Sequence, residues 1–225
     1  MSRFIKAEPG ADRSVIYTDD TGKYFRYYGG TWTWRNHNPG NLYPGHVSKR
    51  NGQIGVAGKL AVFPDKETGH RALLDCLKST FGNMDIDKLT EQYAPPKENN
   101  TAAYIKFLRK KTGITDGKKI KDFTPEEFEK LWQAIEQMEG YKEGKITEIY
   151  TITHVQQNKK HVNSNYYIEL FGWISQATCI DLAKQRKLDV DVCISKLNNI
   201  YIRAHHGSSI QKNLSKLVIK KHDET

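Results

Sequence analysis

The sequence predicts an α+β protein of two domains: a mainly helical first domain with an N-terminal β-hairpin over residues 1–145, and a small ββαββ domain over residues 146–225. Three observations predict this fold class. β-branched and aromatic runs flank a turn within Ser14–Trp34, segments between Lys66 and Gly140 have helical spacing, and β-rich sequence begins at Ile146. A chain of 225 residues has room for two small domains.

The composition is that of a folded protein. Hydrophobic residues make up 37% of the chain, enough for a packed core despite a mean hydropathy of −0.70, which excludes wholesale disorder. No run approaches the ~20 apolar residues of a membrane span, and Met1–Gly10 lacks the apolar stretch of a secretory signal. We therefore expect the chain to start out in the cytosol. Its net charge of +9 favours a polyanionic partner: nucleic acid, a wall polymer or a membrane surface.

Residues 14–58 combine a predicted hairpin with a predicted long loop. In Ser14–Trp34 the turn signal is Asp19–Gly22, and a second glycine pair follows. Residues Asn36–Gly58 are rich in Asn, Pro and Gly, which predicts a long ordered loop. Loops of this length are uncommon unless they have a function, so this loop is the first place to look for a site.

Helical signals dominate the rest of the first domain. We predict helices over Lys66–Thr80, over Thr101–Lys111 and over Thr124–Gly140. The last signal is the clearest, because Thr124 and Glu127 form a capping box and Gly140 can end the helix in the left-handed conformation.

The composition changes after Gly140. Tyr141–Lys145 reads as a polar linker, and the sequence beyond it predicts two strands, a helix and two strands. The predicted elements are Ile146–Val155, Asn165–Ile174, Ser175–Arg186, Asp189–Ile194 and Asn199–His205.

One carboxylate differs from the others in its position. Glu139 continues the apolar face of the Thr124–Gly140 helix, four residues after Ile135 and seven after Trp132. Burial and the negative end of the helix dipole would both raise its pKa, as a general acid in glycosidic cleavage requires. The alternative is a glutamate at a helix end that turns to solvent.

The predicted loop carries three amides on a backbone bent by Pro39 and Gly40: Asn36, Asn38 and Asn41. Amides beside aromatic residues, here Trp32, Trp34 and Tyr43, suit a sugar, which offers hydroxyls, N-acetyl groups and an apolar ring face. The alternative is that the asparagines only satisfy the backbone of the turn.

Four blocks carry a resemblance to a known family: WRNHNPGNL (34–42), IGVAGKLAVFPDKETGHRALL (54–74), YAPPKENNTAAYIKFLRKKTG (93–113) and AIEQMEGYKEG (134–144). Over residues 12–144 the chain resembles lysozyme-like, peptidoglycan-degrading proteins associated with phages and secretion systems. The resemblance implies a lysozyme-like fold and assigns Glu139 as the catalytic glutamate of a muramidase or lytic transglycosylase. In that family the glutamate block precedes the asparagine block, so the order here implies a circular permutation.

The resemblance also implies substrate-binding roles in the 93–101 segment. Tyr93 would hydrogen-bond the glycan, and Glu98 is a candidate second carboxylate, alongside Asn36, Asn38 and Asn41. The alternative is a loop made rigid by two prolines and followed by a helix cap. With no other base near Glu139 in sequence, one essential carboxyl group is favoured, as in a lytic transglycosylase, or an inverting enzyme whose base is unidentified.

The partners and location follow from the same resemblance. It implies an antibacterial effector or phage lytic enzyme, made in the bacterial cytoplasm without a signal peptide and delivered to the periplasm or wall. Peptidoglycan glycan strands would be its substrate, and a cognate immunity protein or delivery machinery its other partners. The runner-up is a non-enzymatic wall-binding or virion structural protein.

Other partners are not expected. The chain lacks the signatures of nucleic-acid binders, so we expect no nucleic acid. We also expect no cofactor and no metal: Cys76, Cys179 and Cys193 read as buried thiols, and His205–His206 as surface residues. The C-terminal part resembles a small uncharacterised bacterial domain, a resemblance that implies no activity.

Overall fold

The computed structural model describes residues 3–97, 100–115 and 117–219. Within these ranges the chain forms seven α-helices and eleven strands in three sheets, with 36% of residues helical and 25% in strands. The α+β class is therefore present, but the expectation of a mainly helical first domain with a single hairpin is wrong. A six-stranded sheet is the largest element of the first part of the chain.

The six-stranded sheet has the strand order β5-β4-β1-β2-β3-β6. Its members are β1 (Phe4–Pro9), β2 (Val15–Asp19), β3 (Tyr24–Tyr28), β4 (Gly55–Ala57), β5 (Leu60–Val62) and β6 (Lys145–Ile149). The predicted hairpin is confirmed as β2 and β3, whose register runs from Val15↔Tyr27 to Thr18↔Tyr24. The Asp19 carboxylate holds the turn by accepting from the backbone N–H groups of Thr21 and Lys23 at 2.9 Å.

Three strands of this sheet, β1, β4 and β5, were not predicted, and β6, which lies in the predicted strand Ile146–Val155, was not expected to join it. β4 and β5 have only three residues each and lie at the end of the glycine-rich stretch, where propensity gives no strand signal. β1 carries the charged residues Lys6 and Glu8 at alternate positions and pairs with its neighbour β2, whereas β6 joins the sheet through long-range pairing with β3. At β4, a Cβ on Gly55 would lie 2.0 Å from the Ala7 oxygen, so this parallel contact requires glycine.

The helices of the first part of the chain are α1 (Trp32–Arg35), α2 (His46–Arg50), α3 (Lys66–Ser79), α4 (Ile86–Tyr93), α5 (Thr101–Thr112) and α6 (Pro125–Glu139). Helices α3 to α6 pack around a core that includes Leu73, Leu77, Leu108, Leu131 and Ile135. The three predicted helices are confirmed as α3, α5 and α6.

Helix α6 begins as its sequence predicts. Both hydrogen bonds of the capping box are present: the Glu127 N–H donates to Thr124 Oγ1 at 3.2 Å, and the Thr124 N–H donates to Glu127 Oε2 at 2.7 Å. The helix ends at Glu139, and Gly140 follows with φ 72° and ψ 149°, a positive φ that favours glycine but not the left-handed helical conformation expected there.

The C-terminal part consists of β7 (His154–Gln157), β8 (Asn163–Ile168), β9 (Gly172–Ser175), α7 (Gln176–Lys184), β10 (Val190–Ile194) and β11 (Ile200–Ala204). Its order is βββαββ, so the predicted ββαββ order is wrong. Asn165–Ile174 is split into β8 and β9 by a turn at Leu170–Phe171, and Ile146–Val155 is divided between β6 and β7. Cys179 is buried as expected, whereas Cys76 and Cys193 are half-buried.

The two parts of the chain meet at a buried ion pair. Arg26 on β3 and Asp189 before β10 lie 2.5 Å apart, and their side chains are 4% and 2% exposed. Burial lowers the pKa of Arg26, and the Asp189 carboxylate opposes that shift. Since β6 begins at Lys145 and pairs with β3, the first sheet extends into the predicted second domain. The division into 1–145 and 146–225 stays a prediction.

In the described ranges, no helix is long and apolar enough to cross a lipid bilayer.

Candidate active site

Glu139 lies in the wall of a cleft of about 600 Å³. The cleft runs between the loop that begins at Gly40, the end of α4 and the end of α6. Its size is in the ordinary range for small-molecule and substrate sites, ~300–1,000 Å³. Among the cleft-lining residues that the structure describes, Glu139 is the one carboxylate. The side chain is half-buried, which favours the register prediction over the alternative of a fully solvent-facing glutamate.

Two side chains hold the Glu139 carboxylate, one on each oxygen. Asn41 Nδ2 donates to Oε2 at 2.8 Å, and the Tyr104 hydroxyl donates to Oε1 at 3.0 Å. Burial raises the pKa of Glu139, and these two hydrogen bonds oppose the shift because they stabilise the charged form. The net direction is upward, so the group is biased towards the protonated form that a general acid needs.

Asn41 reaches Glu139 from a strained loop position. Its φ of 47° lies in the left-handed region, which asparagine tolerates better than most residues. Its N–H donates to the Asn38 oxygen at 3.0 Å, so the loop turns back on itself before Asn41. The Oδ1 atom of Asn41 is buried and hydrogen-bonds to none of the described residues.

Asn36 and Asn38 are fully buried, and their amides bind the backbone. Asn38 Nδ2 donates to the oxygens of Leu42 and Ala61, both at 2.9 Å, and Asn38 Oδ1 accepts from the Leu42 N–H at 2.9 Å. Asn36 Nδ2 donates to the Ala57 oxygen at 3.1 Å. Neither residue lines the cleft, so this geometry favours the turn-satisfying alternative for both and leaves Asn41 as the loop amide beside Glu139.

Tyr93 lines the cleft and supports the loop. Its hydroxyl donates to the Gly40 oxygen, and burial raises its pKa well above the ordinary value, which keeps it a neutral donor. A Cβ on Gly40 would lie 2.8 Å from that hydroxyl, so glycine permits the close approach. The other residue named with Tyr93, Glu98, lies outside the described residues.

The aromatic residues near the loop separate into two groups. Tyr43 lines the cleft and is 60% exposed, so its ring is available to a ligand. Trp34 is buried in the core of the six-stranded sheet, and the Arg35 guanidinium lies 4.1 Å from the Trp32 ring centroid. Of the three aromatics expected beside a sugar, the structure therefore brings Tyr43 alone to the cleft.

Tyr104 was not predicted from the sequence as a site residue, although it is a direct partner of Glu139. It lies in α5, is 5% exposed and belongs to the helical core, so its pattern is that of an ordinary packing residue. Glu136, one turn before Glu139, faces elsewhere: its Oε1 lies 2.7 Å from His70 Nδ1, and it does not line the cleft.

Neither a metal nor a known relative helps to define the site. Within the described ranges, no group of three or more His, Cys, Asp or Glu side chains could hold a metal ion. No family model, no curated protein and no solved structure matches this chain. The lysozyme-like family therefore stays a prediction from the sequence blocks.

Proposed function

We propose that this protein cleaves the glycan strands of peptidoglycan, with Glu139 as the general acid. The observation that carries the proposal is the placement of one half-buried carboxyl group of raised pKa in the wall of a substrate-sized cleft. Asn41 and Tyr104 donate hydrogen bonds that stabilise the Glu139 carboxylate after it has given up its proton.

The proposed first step is a proton transfer from Glu139 to the oxygen of the bond between N-acetylmuramic acid and N-acetylglucosamine. The carbon–oxygen bond breaks with its electron pair on that oxygen, and positive charge develops on the sugar left behind. The resulting Glu139 carboxylate then acts as base. It takes a proton either from water or from a hydroxyl of the same sugar, which attacks the charged carbon.

A single carboxylate in the described part of the cleft favours attack by the sugar hydroxyl, the lytic transglycosylase route. Inverting hydrolases need a second carboxylate ~6.5–9.5 Å from the acid to activate water. Retaining enzymes need one at ~5–5.5 Å as nucleophile. The net charge of +9 would help to hold the protein on an anionic wall.

The experiment compares Glu139→Gln with Glu136→Gln in the full-length protein. Both changes remove a carboxylate from the same helix, but only Glu139 lines the cleft. We expect Glu139→Gln to abolish clearing of purified sacculi, by roughly 1,000-fold or more, because the amide cannot donate the proton. Glu136→Gln should remain within about three-fold of wild type at matched folded concentration.

The products distinguish the two routes. Mass spectrometry of released muropeptides should show anhydro ends for a transglycosylase and reducing ends for a hydrolase. Undiminished clearing by Glu139→Gln would refute the catalytic assignment. Sacculus binding without any cleavage by wild type would instead favour the non-enzymatic wall-binding protein.

A further inference from the structure

A second hollow of about 480 Å³ lies where β1, β3 and the start of α3 meet. Its polar lining comes from Arg3, Tyr27, His37, Asp65, Lys66 and Tyr141. It shares no residue with the cleft that contains Glu139. We call it the β3–α3 hollow.

Tyr27 gives the β3–α3 hollow a hydrogen-bond donor. The residue is only 7% exposed, and its ring packs against Tyr17 and Trp34 with centroid distances of 4.7 and 5.1 Å. The Tyr27 hydroxyl hydrogen-bonds to no described residue. Burial, with a smaller contribution from Tyr141, raises its pKa to about 12, so the group is a neutral donor at ordinary pH. The hydroxyl is not sealed from solvent, and Tyr27 lines the hollow, so a ligand there can accept a hydrogen bond from it.

The charges around the hollow favour an anion. Arg3 and Lys66 form no ion pair with any residue in the described ranges, and Lys66 Nζ lies 4.6 Å from the Tyr141 ring centroid. Asp65 is the opposing charge, and its Oδ1 is already occupied as the cap of α3, accepting from the Thr68 N–H at 2.7 Å. Burial lowers the pKa of His37, which leaves that ring neutral. Two cations and one carboxylate give a net charge of +1.

The walls of the hollow favour an apolar body attached to that anion. The rings of Phe4 and Tyr27 have centroids 6.0 Å apart, and Pro64 and Tyr141 complete the apolar lining. A net charge of +1 matches a monoanion better than a phosphate dianion, because Asp65 would repel the second negative charge. Guanidinium, ammonium and phenol groups are the donors that proteins use for carboxylates.

We propose that the β3–α3 hollow binds the terminal carboxylate of a short peptide, with Arg3 and Lys66 neutralising it and the Tyr27 hydroxyl donating to it. The identification of that peptide as a stem of peptidoglycan rests on the proposed function; the binding of a carboxylate does not. Tyr141 follows Glu139 by two residues, so one wall of the hollow continues from the helix that carries the candidate acid.

The test is a titration of the ¹⁵N-labelled full-length protein with N-acetyl-D-alanyl-D-alanine, followed by amide chemical shifts. We expect saturable shifts at Lys66, Tyr141 and their neighbours. The C-terminal carboxamide of the same dipeptide is the matched control, and its affinity should be at least ten-fold weaker because it lacks the charge. Equal affinity for the acid and the amide, or for inorganic phosphate and the acid, would overturn the proposal.

Four variants separate this site from the catalytic cleft. Lys66→Met keeps the stem of an exposed side chain and should weaken binding about ten-fold, whereas Lys88→Met on α4 should leave it unchanged. Tyr27→Phe keeps the packed ring and should weaken binding several-fold. Glu139→Gln should bind the dipeptide as wild type does, so the loss of catalysis and the loss of this site are distinguishable. Shifts that map to Tyr43 and Gln92 instead would place the dipeptide in the cleft and refute the second site.

Discussion

At Glu139 two opposing effects act on one carboxyl group. Removal from water favours the protonated form, while the donors Asn41 and Tyr104 favour the charged form. An acid that must lose its proton and later recover it needs both, because either effect alone would hold the group in one state. The two hydrogen bonds therefore limit how far burial can raise the pKa.

This balance gives a prediction for Tyr104→Phe. Removal of the hydroxyl takes away one donor to the carboxylate, so the pKa of Glu139 should rise further above its ordinary value. A general acid is active below its pKa and inactive above it, so the alkaline limb of the rate against pH should move to higher pH. Activity on the acidic side should stay within about ten-fold of wild type, since the ring is kept.

The measurement is the pH profile of sacculus clearing for wild type, Tyr104→Phe and Tyr167→Phe. Tyr167 lies on β8 and does not line the cleft, so its variant controls for loss of a tyrosine hydroxyl elsewhere. An alkaline limb that stays in place or moves to lower pH in Tyr104→Phe would contradict the role of the hydroxyl.

Glu139 was predictable from the sequence, whereas its partner Tyr104 was not, and the reason is physical. Glu139 was identified because helical register is a local property, and the capping box fixes the start of that register at Thr124. Tyr104 is 35 positions away from Glu139 and faces the core like any buried aromatic residue, so no local pattern marks it. The pairing of Asn41 with Glu139 spans 98 positions and was reached only through the resemblance.

At the scale of elements, two asparagines of the loop between α1 and α2 have different roles. Asn38 makes three hydrogen bonds to backbone groups of Leu42 and Ala61 and is fully buried. Asn41 is half-buried and donates to Glu139. The same residue type therefore serves as scaffold at one position and as partner of the acid three residues later.

We predict different outcomes for Asn38→Ala and Asn41→Gly. Asn38→Ala removes three buried hydrogen bonds and leaves the Leu42 N–H without its partner, although the Leu42 oxygen still accepts from the Ala61 N–H, so it should lower the stability by about 2–4 kcal/mol. For a protein of this size that is a fall in melting temperature on the order of 10 °C. Asn41→Gly accommodates the φ of 47° and should lower activity by about ten-fold with a smaller change in melting temperature.

The measurement pairs thermal melts with specific activity per folded molecule. Asn38→Ala should keep most of its specific activity below its melting temperature, because the cleft does not include Asn38. If Asn38→Ala were stable but inactive, or Asn41→Gly fully active, the assignment of scaffold and partner would be reversed or wrong.

Three helices with local capping signals were predicted, whereas α4, which Asp85 caps in the same way, and the strands defined by contact were not. Helices α3, α5 and α6 begin at capping residues and were found. β4 has three residues, and its presence depends on the approach of Gly55 to Ala7, which only the folded chain brings together. Long-range pairing of short strands has little local sequence signal, so the six-stranded sheet was reduced to one hairpin in the prediction.

At the scale of the whole molecule, the cleft and the C-terminal part are separate. Every described residue that lines the cleft lies between Gly40 and Glu139, so residues 146–219 contribute nothing to it. The C-terminal part instead meets the first sheet through Arg26 and Asp189, and through β6, which pairs with β3 over five positions. Residues 146–149 therefore belong structurally to the sheet that supports the helical layer.

This arrangement predicts that a truncation after β6 preserves folding and activity, whereas a truncation before β6 lowers the stability. A protein ending at Tyr150 keeps β6 and should fold and clear sacculi. A protein ending at Lys145 loses the partner of β3 and the buried Ile149 side chain, at a cost of about 3 kcal/mol or more. Both lose Asp189, whose removal leaves the buried Arg26 guanidinium without its partner, so the comparison of the two isolates the contribution of β6.

The measurement is a thermal melt of both truncated proteins and of the full-length chain, followed by clearing at matched folded concentration. We expect the protein ending at Tyr150 to melt above the one ending at Lys145 by roughly 6–12 °C, the shift that about 3 kcal/mol gives in a domain of 150 residues. Asp189→Asn in the full chain reports separately on the ion pair and should lower the melting temperature. Equal melts for the two truncated proteins would show that β6 contributes nothing to the first domain. A folded but inactive protein ending at Tyr150 would show that the C-terminal part acts on the cleft, because the lining residues alone would then be insufficient.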